Sequence, residues 1–124
     1  MISAAPSKTE LARKGEELAA EALVKKGYEV LQRNYRYGQG ELDIIAKHNG
    51  MIVFVEVKTR ESNYLTDPLQ LVPISKQKQI IRLAGAYLKT LKTLEQARFD
   101  IVIIVHNKSL TSINHIEDAF YPMG

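Results

Sequence analysis

Asp43, Glu56 and Lys58 are the residues whose types and spacing can do chemistry. Glu56 and Lys58 lie two apart in the β-branched run Met51 to Thr59, so on a strand they share a face with Ile52 and Phe54, while Val53, Val55 and Val57 take the other. In the preceding run Glu41, Asp43 and Ile45 share a face, opposite Leu42, Ile44 and Ala46. Between the runs stands Asn49-Gly50, a strong signal for a two-residue hairpin loop. With that loop His48 faces Met51, Asp43 lies opposite Glu56, and Glu41 opposite Lys58. Directly opposed residues carry their β-carbons about 4.5–5.5 Å apart. Two carboxylates at about 5 Å repel by about 3 kcal/mol at an effective dielectric near 20, too much to leave uncompensated in a marginally stable fold. Lys58 can supply part of the positive charge. A divalent cation can supply more, since Mg²⁺ takes oxygen ligands, commonly one or two carboxylates with phosphate and water. Such a set suits phosphodiester hydrolysis: the metal acidifies a water and neutralises charge on the phosphoryl group, and the ammonium orients that water or stabilises the transition state. The same residues on an exposed sheet face make an ordinary solvated salt-bridge cluster, and spacing alone leaves both readings open. The register decides, because a one-residue slip drives the two acids to opposite faces.

The whole chain is compatible with such a site. Its 124 residues, 45% hydrophobic and 25% charged, suit one globular domain with its own core. The lack of cysteine excludes disulfides, thiolate zinc sites, iron–sulfur clusters and a cysteine nucleophile, so a metal cofactor here is a hard, oxygen-ligated one. The formal charge of +3 permits a polyanionic partner without requiring one. The longest apolar stretch, Ile101 to Val105, is too short to span a bilayer, and no early segment has the pattern of a secretory signal. No membrane partner and a cytoplasmic location are therefore expected.

The elements that must position the acids follow from spacing. Ser7 with Glu10 forms a capping box, and Leu11, Leu18, Ala19, Ala22 and Leu23 recur at helical intervals, which predicts a first helix over residues 8–26, closed by Lys25, Lys26 and Gly27. Residues 1–7 are expected to form a flexible N-terminus. Strands are expected over 28–36, 41–46 and 51–59, then a long loop over 60–74. Ser75 can cap a second helix whose apolar face is Gln77, Ile80, Ile81, Ala84, Tyr87, Leu88 and Leu91. Its polar side holds Lys76, Lys78, Arg82, Lys89 and Lys92 with no acid from Ser75 to Thr93, a surface along which phosphates can track. Arg36 and Arg60 flank the acids and can also hold phosphates. Two strands follow, 99–106 and 110–116, around a tight turn at Asn107-Lys108. The three histidines have no metal-ligand spacing and read as structural or exposed, and Asp100 reads as a support for Arg98 or a strand turn. The order helix, three strands, helix, two strands predicts an α/β mixed sheet, with the strands on either side of the second helix parallel.

The run Gly40-Glu41-Leu42-Asp43-Ile44-Ile45-Ala46, followed by Val53-Phe54-Val55-Glu56-Val57-Lys58-Thr59-Arg60, resembles the bacterial YraN-like family. That family is similar to the archaeal Holliday-junction resolvases of the PD-(D/E)XK nuclease superfamily. The resemblance covers nearly the whole chain, through Gly15-Glu16 with Ala19, Gly27-Tyr28, Asn34 with Arg36, Lys76, and Arg98-Phe99-Asp100. It implies a restriction-endonuclease-like fold and an endonuclease, dependent on Mg²⁺ or Mn²⁺, that acts on branched or structured DNA. By the same resemblance Asp43 and Glu56 are metal-binding acids and Lys58 the catalytic lysine. Glu16 matches a helix acid brought to the metal, and Gln77 a polar helix residue reaching the site. Val57 would offer its backbone carbonyl to the metal. Leu42 stands where the superfamily motif has proline. Cutting a symmetric junction calls for a homodimer. A different class of function also fits the residues, a non-catalytic nucleic-acid-binding or scaffold domain that keeps the fold and the acidic cluster.

Overall fold

Asn49 and Gly50 adopt φ of +50° and +77°, the pair of positive angles that a two-residue type I′ turn needs. They join strand β2 (Gly40–His48) to β3 (Met51–Arg60), paired antiparallel from His48↔Met51 to Ile44↔Val55 in the expected register. This computed structural model describes residues 8–62, 67–92 and 94–122. Helix α1 covers Lys8–Lys25 and closes as expected at Gly27: Tyr28 N–H donates to Leu23 O (3.0 Å) and Gly27 N–H to Val24 O (3.0 Å), the paired bonds of a Schellman cap. Leu23 and Tyr28 are buried in the same apolar cluster, which fixes the angle at which the chain enters β1 (Glu29–Tyr37). The expected cap residue Ser7 and the expected flexible segment 1–7 lie outside the described residues.

Helix α2 (Ile74–Lys89) carries the chain from β3 to β4 (Gln96–His106), and these two strands pair in parallel from Met51↔Gln96 to Arg60↔Val105. Strand β5 (Thr111–Phe120) returns antiparallel to β4, so the five-stranded sheet has the order β1-β2-β3-β4-β5 with one parallel pair. The mixed sheet and the element order are those expected. Each face of the sheet is covered by one helix. Ala19 and Leu23 of α1 pack with Ile44, Ala46, Val53, Val55, Val102 and Ile104, while Ile80, Leu83 and Ala84 of α2 pack with Leu42, Ile45, Phe54, Phe99 and Ile101. Central β3 is therefore covered on both sides, and a polar side chain there is buried unless it stands at the end of the sheet.

Four local expectations need correction. Pro73, not Ser75, precedes the first turn of α2, and Gln77 N–H closes that turn on Pro73 O (2.9 Å) with no side-chain cap. The described part of the 60–74 segment is not all loop: Asp67 caps a 3-10 helix, Pro68–Leu71, by accepting from Leu69 N–H (3.0 Å), and Val72 after it is buried. The turn between β4 and β5 spans four residues, 107–110, closed by Asn107 N–H to Leu110 O (2.9 Å) and by Asn107 Oδ1, which accepts from Ser109 and Leu110. Finally, β5 runs on past Ile116 to Phe120, which stacks on Phe99 at 5.4 Å. Its polar end hides that continuation from a pattern search.

Candidate functional site

Leu42 and Ile44 stand two apart on β2, yet Leu42 packs under α2 and Ile44 under α1. In an unbroken strand they share a face. The alternation is reset at Asp43, at the level where Asn34 of β1 takes φ +54°; β1 and β2 keep one register across it, from Arg33↔Ile44 to Tyr35↔Leu42, their register shift lying further along, between Val30 and Gln32. The β2–β3 ladder also stops at Ile44↔Val55, one pair short of the expected Asp43↔Glu56. Asp43 continues the contact with its side chain, its Oδ2 accepting from Val57 N–H at 2.8 Å. Both acids thus face the space left where β2 and β3 part.

That space is a cleft of about 880 Å³ at one end of the sheet. Glu16 of α1, Asp43, Glu56, Val57, Lys58 and Arg60 line it together with Lys76 of α2. Gly15 brings α1 into place: a β-carbon there would stand 1.8 Å from Thr59 Oγ1, so only glycine lets the helix approach β3 this closely. Glu56 is 5% exposed. Its Oε2 is buried and has no hydrogen-bond partner among the described residues, and Lys76 Nζ at 3.6 Å offers charge but is too distant for a hydrogen bond. Burial, then the adjoining Glu56 carboxyl, push Asp43 up to about 8, against the pull of Val57 N–H and Lys76. Burial and the charge of Asp43 likewise push Glu16 up to about 7, with Arg33 opposing. Among the described residues, no three acidic, histidine or cysteine side chains form a group that could hold a metal.

Asp43, Glu56, Val57, Lys58, Glu16, Arg60 and Lys76 are therefore brought together, and the other expected site residues are not. Gln77 lies outside the cleft: its Nε2 donates to Val72 O (2.9 Å), and Lys76, expected only as a phosphate contact, reaches Glu56 instead. Arg36 is also outside, pairing across the β1–β2 edge with Glu41 (Nε to Oε2, 3.2 Å), so Glu41 does not face Lys58. Arg60 Nη1 donates to Thr59 O (2.9 Å) at the cleft wall. Lys78 and Arg82 line a shallow groove that adjoins the cleft at Lys76. The residue that pattern reading missed is Asn34. With its amide nitrogen turned to the two carboxylates, as hydrogen bonding requires, it donates to Glu16 Oε1 (2.8 Å) and Glu41 Oε1 (2.9 Å). Apart from its place in the resemblance beside Arg36, its sequence signal is its type, since asparagine is enriched at positive φ.

A second polar cluster belongs to the fold. Asp100 is fully buried and accepts from Arg98 (2.8 and 2.9 Å) and Asp118 N–H (3.0 Å), with His115 Nε2 2.7 Å away. His48 stacks on Tyr28 at 3.9 Å, and Tyr28 accepts from Arg98 and donates to Glu117 (3.1 Å). This network ties β5 and the end of α1 to β4, away from the acid cleft.

The fold and cleft define an α/β protein with a mixed five-stranded sheet between two helices and paired carboxyls at one end. Residues 15–104 match the family described as Uncharacterised protein family UPF0102, and the chain belongs to that family, the YraN-like one. Relatives carrying the name UPF0102 protein include one from Christiangramia forsetii, 42% identical over 112 residues, which covers 90% of this chain and 94% of the relative. Another, from Chlorobium chlorochromatii, is 43% identical over 121 residues, 93% of this chain and 94% of the relative. A third, from Thermodesulfovibrio yellowstonii, is 41% identical over 115 residues, 93% of this chain and 99% of the relative. No described helix is long and apolar enough to cross a membrane.

Proposed function

We propose that this protein is a metal-dependent endonuclease, resembling the Holliday-junction resolvases, that hydrolyses phosphodiester bonds in branched or structured DNA in the cytoplasm. The observation that carries the reading is the buried Glu56 Oε2, which has no hydrogen-bond donor among the described residues and adjoins a second carboxyl in an open cleft. An unpartnered buried carboxylate oxygen is costly, and a divalent cation relieves two adjoining carboxylates at once. Asp43 and Glu56 would hold Mg²⁺ or Mn²⁺, with the Val57 carbonyl as a further oxygen donor. Among the described residues no third acid joins the group, so water and substrate phosphate would complete the set, as is usual for Mg²⁺. When bound, such a cation polarises the phosphoryl group and lowers the pKa of a coordinated water.

The chain's own residues do the rest. Lys58, on the cleft wall, orients the attacking water, and Arg60 with Lys76 meets phosphates on either side of the scissile bond. Glu16, pushed up to about 7, exchanges a proton near neutral pH within electrostatic reach of Asp43. One such cleft cuts one strand, so a symmetric junction requires a homodimer.

Purified protein is expected to nick a synthetic four-way junction or a supercoiled plasmid with Mn²⁺, and Asp43→Ala and Lys58→Ala are expected to lose this cleavage while remaining folded. Absence of cleavage across DNA forms and metals, or variants that cut as well as wild type, overturns the reading. One observation favours a non-catalytic nucleic-acid-binding domain instead: Lys76 already lends Glu56 a cation at 3.6 Å. That alternative predicts salt-sensitive DNA binding without metal-dependent turnover.

A further inference from the structure

Lys76 lines both the acid cleft and a shallower groove of about 420 Å³ along α2, which it shares with Ser75, Lys78, Gln79 and Arg82. Lys78 and Arg82 in turn line a third depression of about 220 Å³, together with Ile74, Ile81 and Tyr121. Each shares a wall with the next, Lys76 between the first two and Lys78 with Arg82 between the last two, so they form one path from Asp43 and Glu56, over the first turns of α2, to the chain just after β5. Among the described residues, acidic side chains line the first depression and neither of the others. The last differs in kind, because Tyr121 is 64% and Ile74 54% exposed beside two cations.

An exposed aromatic ring and an aliphatic side chain with cations at the rim match the chemistry of an unpaired nucleotide. The ring takes the face of a base, and the cations take the phosphates on either side. The volume lies below the roughly 300–1,000 Å³ of pockets that enclose whole ligands, so the depression suits one flat ring system. A base stacked inside a duplex cannot offer its face, which makes the occupant an unpaired one.

We propose that the cleft between Ile74 and Tyr121 receives one unpaired nucleobase of a DNA strand whose phosphates pass over Lys78 and Arg82 to the acid cleft, with Tyr121 as the stacking platform. This inference rests on the nuclease reading and narrows its substrate: the strand carries an unpaired nucleotide beside the scissile region, as at a flap, a gap or an opened branch point.

The test is binding in EDTA, where no cleavage occurs, of a single-stranded oligonucleotide, a flap and a blunt duplex by wild type, Tyr121→Ala and Tyr121→Phe. Tyr121 lies beyond β5 on the surface, so its truncation leaves the core intact. Tyr121→Ala is expected to weaken binding of the strand and the flap by about fivefold or more, the lower range for loss of a base–aromatic stack. Duplex binding and the salt dependence are expected to hold, because no charge is removed, and Tyr121→Phe is expected to bind as wild type. A 2-aminopurine at the unpaired position is expected to be quenched by wild type and not by Tyr121→Ala. No loss, or equal loss on duplex and unpaired DNA, overturns the base cleft and leaves the nuclease reading to the nicking assay. Failure of wild type to bind the strand and the flap likewise overturns the base cleft, and failure to nick with Mn²⁺ overturns the nuclease reading on which it rests.

Discussion

Lys76 Nζ stands 3.6 Å from Glu56 Oε2, so the first turn of α2 places a cation against a carboxylate that β3 has buried. Lys76 also pulls Asp43 toward ionisation, and is thus the chain's own counter-charge to the acid pair. Lys76→Met keeps the stem and removes that charge. In EDTA it is expected to lower stability by about 1–3 kcal/mol, the Coulombic attraction of a close pair at an effective dielectric near 20 discounted for the partial exposure of Lys76. Mn²⁺ is expected to restore the variant by more than it raises wild type, since the cation replaces the lost ammonium. Urea unfolding of both proteins with and without Mn²⁺ measures this, and equal gains would count against a metal at Glu56.

The acid pair also sets the pH dependence of the metal-free protein. Asp43 is pushed up to about 8 and Glu16 to about 7, whereas both titrate near 4 in an unfolded chain. Between about pH 4 and 8 the folded state therefore holds more protons than the unfolded one. The stability from these groups is complete below about pH 4 and is lost as pH rises through their folded values. In EDTA the urea midpoint is expected to fall from about pH 5.5 to 8, and Asp43→Asn, whose amide oxygen still accepts Val57 N–H, to remove most of that slope. Saturating Mn²⁺ selects the ionised carboxylates and reverses the sign. A wild-type midpoint that rises with pH in EDTA would show the acids to be ionised throughout.

Gly15 tests whether α1 must approach β3 so closely. Its added β-carbon would meet Thr59 Oγ1 at 1.8 Å and Thr59 Cγ2 at 2.9 Å. Gly15→Ala is expected to cost about 1–3 kcal/mol by overpacking, despite alanine's better helix propensity. Thr59→Ala removes Oγ1 and Cγ2 and leaves only Thr59 Cβ, at 2.9 Å, so the double variant is expected to recover part of the loss. Thermal unfolding of the four proteins in this cycle gives the coupling.

Much of this architecture is legible from residue types, and the departures have local causes. Asn49-Gly50 specified the turn and hence the register from His48↔Met51 to Ile44↔Val55. Extending that register to Asp43 and Glu56 assumed an unbroken pleat, whereas the ladder stops at Ile44↔Val55, at the level where Asn34 of the neighbouring strand takes positive φ. The acids still converge because a side-chain bond from Asp43 replaces the missing ladder pair. Exchange of the expected Gln77 for Lys76 has a helical cause. Adjacent residues point about 100° apart, and Gln77 falls on the apolar stripe with Ile81, leaving the longer Lys76 side chain to reach the sheet end. Asp100 was legible as support for Arg98, but the His115 contact depends on β5 continuing through polar residues that no alternation rule marks as strand.

Asp100 carries a prediction of opposite sign in pH. Burial pushes its carboxyl up, yet His115, Arg98 and Asp118 N–H outweigh burial and hold it below the ordinary value. Its stabilisation is present above about pH 4, the unfolded value, and is lost as pH falls through the lower folded one. Asp100→Asn leaves Arg98 without its carboxylate and is expected to cost about 3–5 kcal/mol, with β5 amides losing hydrogen-exchange protection first.

Asn34 separates backbone from side-chain effects. It holds φ +54° and donates to both Glu16 and Glu41. Asn34→Ala loses the two donors and keeps a β-carbon in the left-handed region without the short polar side chain that lets asparagine tolerate it, a conformation that costs an ordinary L-residue about 1–2 kcal/mol relative to glycine. Asn34→Gly loses the donors alone, because glycine adopts that region freely. The glycine variant is therefore expected to be more stable than the alanine variant by about 1 kcal/mol, and the two to share one effect on Glu16. Without the amide bond to its charged form, the Glu16 carboxyl is expected to titrate above its wild-type value of about 7 in both variants. Carboxyl-detected NMR titration in EDTA reads that shift directly. An unchanged Glu16 would mean that the Asn34 amide points elsewhere, and that only its backbone angle shapes the cleft.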